Sequence, residues 1–303
     1  MTHDVNVHTI FSPWGRFGLY SFFIDAEEPA LVDTGVTATV EATIAELAKL
    51  GRSIEDVRWI LLTHGHIDHL GGAHALWEAT GRKAKVALHE KDLPYLRSRR
   101  AHVENYLNLR ADYIDHPDAE AEQTRMMAGA ISGEMEPHVI LRGGETLNLG
   151  NAEVEVHNIP GHTEGSVAYV IKGQNDVFVG DAVQIHGAAN GFPGYEDPEA
   201  YRSSLEHLRD VVKPNRMFQG HPYRDATGQE VGMELDRETS QRALQESLDI
   251  EARVRGAVAK HGATASDSPY SPFAAIAAEL GYEKDPRLEP SPFFTTCHGY
   301  LKR

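Results

Sequence analysis

Only one cysteine, Cys297, occurs in 303 residues. No intrachain disulfide can form, and such cysteine usage suits a reducing compartment. Basic residues are also scarce: 29 Lys+Arg against 45 Asp+Glu leaves a net charge of −16 with His neutral. A surface of that sign repels phosphate backbones at long range, which argues against nucleic acid as a partner. No run approaches the roughly 18 apolar residues of a membrane span. The segment Met1 to Asn6 has neither the basic start nor the apolar core of a signal peptide. The expectation is a cytoplasmic protein with no membrane partner. Repeats and low-complexity tracts are missing too. What is present is ordinary globular composition, 41% hydrophobic and 24% charged, with histidine unusually frequent at 17 residues.

The first third reads as short strands followed by helices. Residues 5–10, 19–24 and 30–32 are strand-like, and the last of these ends in Asp33-Thr34-Gly35. Val40, Ile44, Leu47 and Ala48 share one face of a helix over about 37–50. The apolar run 57–62 leads directly into His64-x-His66-x-Asp68-His69, after which one helix is expected from about 68 to 79. Strand signals vanish between about 91 and 133, which predicts a helical insertion of two or three helices. Met126 and Met127 there read as core packing, with a cap over a pocket as the alternative. Strands resume near 139–141, 146–147, 154–159, 167–171, 177–179 and 216–219, with a helix over 198–211. The segment 236–260 is an amphipathic helix, followed by helices near 274–280 and 293–301.

Chemistry concentrates at strand tips. His64 and His66 are spaced to aim at one ion from an extended turn, while Asp68 and His69 begin a helix and face a second position. Imidazole nitrogen and carboxylate oxygen suit zinc, with iron or manganese as alternatives. His162 follows a strand ending at Ile159, Asp181 follows Val179, and His221 follows Gln219. A lone strand-end His or Asp is more often a loop cap. Four groups in the same context, at the tips where α/β sites gather, point instead to one centre. His74, His89, His157 and His207 read as surface or satisfied partners.

In these motifs the chain resembles a metallo-β-lactamase-fold hydrolase, the superfamily of glyoxalase II, acyl-homoserine lactonases and tRNA-processing endonucleases. The resemblance covers about residues 5–225 and includes Asp33-Thr34-Gly35, the Gly71-Gly72 after the His-rich motif, and the ordered series His162, Asp181, His221. It implies an αββα sandwich over 1–225 carrying the insertion at about 91–133. A small helical appendage, similar to the winged-helix pieces of some members, would fill 226–303. It further implies that His64, His66 and His162 hold one divalent ion, that Asp68, His69 and His221 hold another, and that Asp181 bridges them. All seven would converge at one sheet edge. Two such cations, zinc above all, would share a water and make hydroxide available at neutral pH. Asp68 would also shuttle a proton, and Asp33, not a ligand in the family, would orient the His-rich loop.

Substrate choice is less legible. Many acyl-homoserine lactonases carry Tyr three residues after the bridging Asp, whereas this chain has Gln184; Tyr195 or Tyr223 would approach from nearby loops. Arg142 and Lys172 are available for glutathione carboxylates, but no pattern places them. The loop His186 to Tyr195, with His186 and Phe192, lines the pocket in one reading and is an ordinary connection in the other. The leading expectation is a binuclear hydrolase of a small-molecule ester, lactone or thioester, with no nucleic-acid partner and with a homo-oligomer open. Cleavage of a phosphoester, sulfate ester or activated aryl ether is the first alternative. A non-hydrolytic redox or partner subunit is the second.

Overall fold

The computed structural model describes residues 4–188, 190–288 and 291–301. Two six-stranded sheets form its centre. The first is ordered β1 (Asn6–Trp14), β2 (Phe17–Asp25), β3 (Ala30–Val32), β4 (Trp59–Leu61), β5 (Lys85–His89), β6 (Val139–Leu141), antiparallel up to β3 and parallel from β3 on. The second contains β7 (Thr146–Asn148), β8 (Glu153–Asn158), β9 (Val167–Ile171), β10 (Asp176–Gly180), β11 (Arg216–Gln219) and β12 (Glu234–Asp236), in that spatial order, with only β10 and β11 parallel.

Strand alternation sorts the core into layers. Phe22 and Ile24 of β2 point into the space between the sheets, where Phe22 meets Phe178 and Phe218 at ring distances of 5.4 and 5.2 Å. Each such aromatic pair adds about 0.5–1.5 kcal/mol beyond its buried area. Phe23 points the other way, and with Leu31 and Ile60 it packs beneath α1 (Val40–Lys49) and its Leu47. That covering layer also holds Leu70 of α2 (Ile67–Leu70) and Leu76 of α3 (Ala73–Ala79). The expected insertion is present as α4 (Leu93–Arg97), α5 (Arg99–Arg110) and α6 (Ala119–Ala130). Over the far face of the second sheet lie α7 (Pro198–His207), α8 (Arg237–His261), α9 (Ala274–Leu280) and α10 (Pro292–Leu301). The layers are helix, sheet, sheet, helix.

Three local readings are corrected. The helix expected over 68–79 is two, because Gly71 and Gly72 lie against backbone of the Asp33-Thr34-Gly35 loop and of Ala130. A Cβ would stand 2.5 Å from the Ala130 carbonyl oxygen at Gly71, and 2.4 Å from that of Thr34 at Gly72. The helix after Pro198 changes at residue 208 to one wide turn ending in left-handed Lys213. Finally, β12 was not expected: it is three residues long with only its centre, Leu235, buried, too short to show alternation.

The C-terminal segment does not stand apart. β12 pairs with β11, and Leu244, Val254, Phe293 and Phe294 share one buried cluster with Val179, Tyr201 and Met217. Among the described residues, three helices and that strand make up the segment, and no helix is long and apolar enough to cross a membrane.

Candidate metal centre

The centre lies where strands of both sheets end. β4 feeds the turn carrying His64 and His66, and α2 then presents Asp68 and His69. From the second sheet, β8, β10 and β11 deliver His162, Asp181 and His221. The seven side chains therefore meet across the two sheets rather than at the edge of one. Sandwich packing joins the two halves: His69 Nε2 lies 3.4 Å from His221 Nε2 although 152 residues separate them.

Three overlapping donor sets result: His64, His66 and His162; His64, His69 and Asp181; and Asp68, His69 and His221, the atoms of each within 4.8 Å of one another. His66 Nδ1 stands 3.2 Å from His64 Nε2 and 2.9 Å from His162 Nε2. Asp181 spans the sets, with Oδ1 3.3 Å from His69 Nε2 and Oδ2 3.7 Å from His162 Nε2 and 3.2 Å from His221 Nε2. Asp68 Oδ2 is 3.1 Å from His221 Nε2.

The outward nitrogens of four rings are already engaged. His69 Nδ1–H donates to Asp33 Oδ2 at 2.8 Å, His162 Nδ1–H to the Gly194 carbonyl at 2.7 Å, and His221 Nδ1–H to the Gly18 carbonyl at 2.8 Å. The Thr63 hydroxyl donates to Asp33 Oδ2 at 2.8 Å and so accepts from His64 Nδ1–H at 3.1 Å. Every one of these contacts leaves a lone pair on Nε2 facing the centre. Asp33, at φ 57°, thus fixes His69 directly and His64 through Thr63. Asp181 Oδ1 is buried without a hydrogen-bond donor. Converging lone pairs around an unsatisfied carboxylate fit a divalent cation and little else.

The electrostatics agree. Burial, the largest influence, holds His64, His66 and His162 below the ordinary imidazole range, and crowding by neighbouring rings adds to it at His64 and His66. Burial acts downward on His69 and His221 as well, but Asp181 first, then other carboxylates, outweighs it and raises both, His221 to about 10. Burial would raise Asp68 and Asp181, yet His69 and His221 hold both below the usual carboxylate range. The carboxylates draw positive charge into the cluster, the charge a cation supplies without protons.

A cavity of about 450 Å³ opens onto the centre and touches His66, Asp68, His162, Asp181 and His221. Of the pocket candidates, Gln184, Phe192 and Tyr223 line it. Gln184 also braces the His162 side, with Nε2 donating to the carbonyls of Asp181 and Gly194 and Oε1 accepting from Gly194 N. Tyr195 and His186 do not line it. Tyr195 is fully buried, stacked on Tyr201 at 4.2 Å and bonded to the Tyr300 hydroxyl, while His186 turns to Glu246 on α8 at 2.7 Å. Packing beneath α10 and α8 captures both. Ala189 of the same loop lies outside the described residues. Arg142 and Lys172 are engaged by Glu90 and Glu153, away from the cavity. Met126 and Met127 do form its wall, and Met127 also belongs to a small buried cluster with Val103 and Ile131.

Sequence reasoning missed Asp92. Its buried carboxylate ties the two ligand loops together: Oδ2 accepts from Gly65 N at 2.7 Å and Thr163 Oγ1 at 2.8 Å, and Oδ1 from Gly165 N at 3.0 Å. A Cβ at Gly165 would stand 2.5 Å from the Asp92 carboxyl carbon, so that glycine admits the contact. The available signal was positional, since Asp92 follows the tip of β5 as the other site residues follow theirs. Trp14, Phe17 and Pro292 of the cavity wall were missed too, having no local signature.

Comparison with known proteins matches residues 14–221 to the family model described as the metallo-beta-lactamase superfamily. A hydroxyacylglutathione hydrolase of Rhodobacter capsulatus is 30% identical over 200 residues, 65% of this chain and 62% of that protein. One from Maricaulis maris is 25% identical over 260 residues, covering 84% and 85%. The aligned part thus spans about three fifths of the length of the first curated relatives. Among solved structures, a metallo-beta-lactamase family protein from Thermus thermophilus superposes with a TM-score of 0.69 at 23% identity, covering 98% of this chain and 93% of its own. That likeness concerns the fold.

Proposed function

The chain belongs to the metallo-beta-lactamase superfamily, and on that premise we propose that it is a metal-dependent hydrolase cleaving an ester, lactone or thioester of a small molecule. One observation carries the reading. Four Nε2 lone pairs, His66 Nδ1 and the carboxylates of Asp68 and Asp181 converge at the mouth of a cavity, with the outward nitrogens of four of those rings already taken. His64, His66 and His162 would hold one divalent ion, Asp68, His69 and His221 a second, and Asp181 would serve both. Zinc is the first choice for that donor set, ahead of iron or manganese. Bound there, such ions supply Lewis acidity toward a carbonyl oxygen and depress the pKa of water.

The chain's own residues do the rest. Asp33 keeps the His64 and His69 lone pairs turned inward. Asp92 and Gln184 hold the loops that carry His66 and His162. Asp68, at the cavity wall beside His221, takes up the proton that the attacking water gives up and passes it to the departing alkoxide. The hydroxyacylglutathione hydrolases among its relatives favour carbonyl chemistry over phosphoester or redox chemistry.

Metal analysis beside a panel of esters, lactones and thioesters tests the reading. Two ions per chain and loss of turnover on prolonged chelation, with recovery on adding zinc, are expected. Full turnover by metal-stripped protein would overturn it. Asp68→Asn should slow alkyl esters by on the order of 10² and nitrophenyl esters far less, because nitrophenolate leaves unprotonated. Equal defects would leave Asp68 a ligand only.

A further inference from the structure

We propose, resting on the hydrolase reading above, that the cavity takes an ester or thioester with a long, apolar, uncharged acyl chain. Its wall is built from segments distant in sequence. Trp14 and Phe17 come from the β1–β2 hairpin, Ile67 from α2, Met126 and Met127 from α6, and Phe192 from the loop before α7. A volume near 450 Å³ lies within the range of small-molecule sites lined mainly by apolar side chains and a few polar anchors. The two methionines supply flexible, polarizable surface that moulds to a chain of no fixed shape.

Charged groups reach the wall as well. Arg16 lies over the Phe17 ring at 5.1 Å and Arg110 over Tyr106 at 5.2 Å, and Glu196 lines the same cavity, so both signs are present. Arg142 and Lys172 are held elsewhere by Glu90 and Glu153. His102, also at the wall, is held by burial at a pKa of about 4. Where an imidazolium is not sustained, a charged substrate tail meets the same loss of hydration.

The test uses the metal-loaded protein and one leaving group, nitrophenolate, on acetyl, butanoyl, hexanoyl and octanoyl esters, with the hexanedioyl half-ester and a lactoylglutathione thioester alongside. Each methylene that enters the cavity should raise kcat/KM about two- to fourfold, mostly through KM, or on the order of 10²–10³ from acetyl to octanoyl. The half-ester should fall at least about tenfold below the hexanoyl ester, and Met126→Gln should flatten the series. A second readout needs no turnover: octan-2-one, but not acetone, should change Trp14 fluorescence in metal-depleted protein, and Trp14→Phe should remove the change. If octan-2-one binds in a Met126-dependent way and no ester is cleaved, the apolar site stands and the hydrolase reading fails. If esters are cleaved but the series is flat, or the half-ester or the glutathione thioester outruns the octanoyl ester, the hydrolase reading stands and this proposal is overturned.

Discussion

Asp33→Asn isolates one proton. The position has φ 57°, a left-handed conformation that Asn adopts as readily as Asp, so the backbone is undisturbed and only the hydrogen-bond character of one atom changes. In the parent, Oδ1 accepts from Thr63 N at 2.8 Å, while Oδ2 accepts from both Thr63 Oγ1 and His69 Nδ1–H at 2.8 Å. An amide can be placed two ways. With its oxygen toward Thr63 N, its NH2 faces His69 Nδ1, which must then accept, so the ring proton moves to Nε2 and removes the lone pair aimed at the centre. With its oxygen toward His69, the NH2 opposes Thr63 N–H and leaves a buried donor unsatisfied, costing about 1–3 kcal/mol. The first placement weakens metal binding by about 10–100-fold, the usual effect of losing such an orienting partner; the second lowers stability at unchanged affinity. Competition against a chromophoric chelator, with melting of the metal-free protein in parallel, separates the two. An Asn variant that keeps parental affinity and parental melting temperature refutes the argument that Asp33 sets the tautomer.

Two further outcomes follow from buried polar groups. Asp92→Asn sets an NH2 against one of three donors from Gly65, Gly165 and Thr163; stability should fall by about 1–3 kcal/mol and metal stoichiometry should drop, and elemental analysis showing parental metal content would count against its role in aligning the loops. Burial first, opposed by the Tyr95 carbonyl, lowers His102 from its ordinary 6.5 to about 4. The unfolded chain therefore binds one more proton between those values, so this contribution is complete above about pH 6.5 and is lost as pH falls toward 4. His102→Gln should reduce the acid-side loss of metal-free stability by up to about 3 kcal/mol, and equal losses in parent and variant between pH 7.5 and 4.5 would refute it.

The sequence by itself determined whatever is decided by neighbours along the chain. Helix faces such as Val40, Ile44 and Leu47 follow from a period of 3.6. The strand-end positions of His64, His66, His162, Asp181 and His221 follow from an apolar run breaking into a turn, because strand direction fixes where a tip residue stands. Facing across layers has no such local code. Tyr195 and Phe192 belong to one loop and one composition, yet Tyr195 stacks on Tyr201 in the core while Phe192 reaches the cavity; the choice is made by α7 and α10 packing over the second sheet. Only the folded chain sets Asp92 between Gly65 and Gly165, which are 100 residues apart. The meeting of the two sheets' ends is likewise tertiary, since only sandwich packing brings His69 to His221. Apolar patterning specifies that a face is buried, and the packing of distant segments specifies against what.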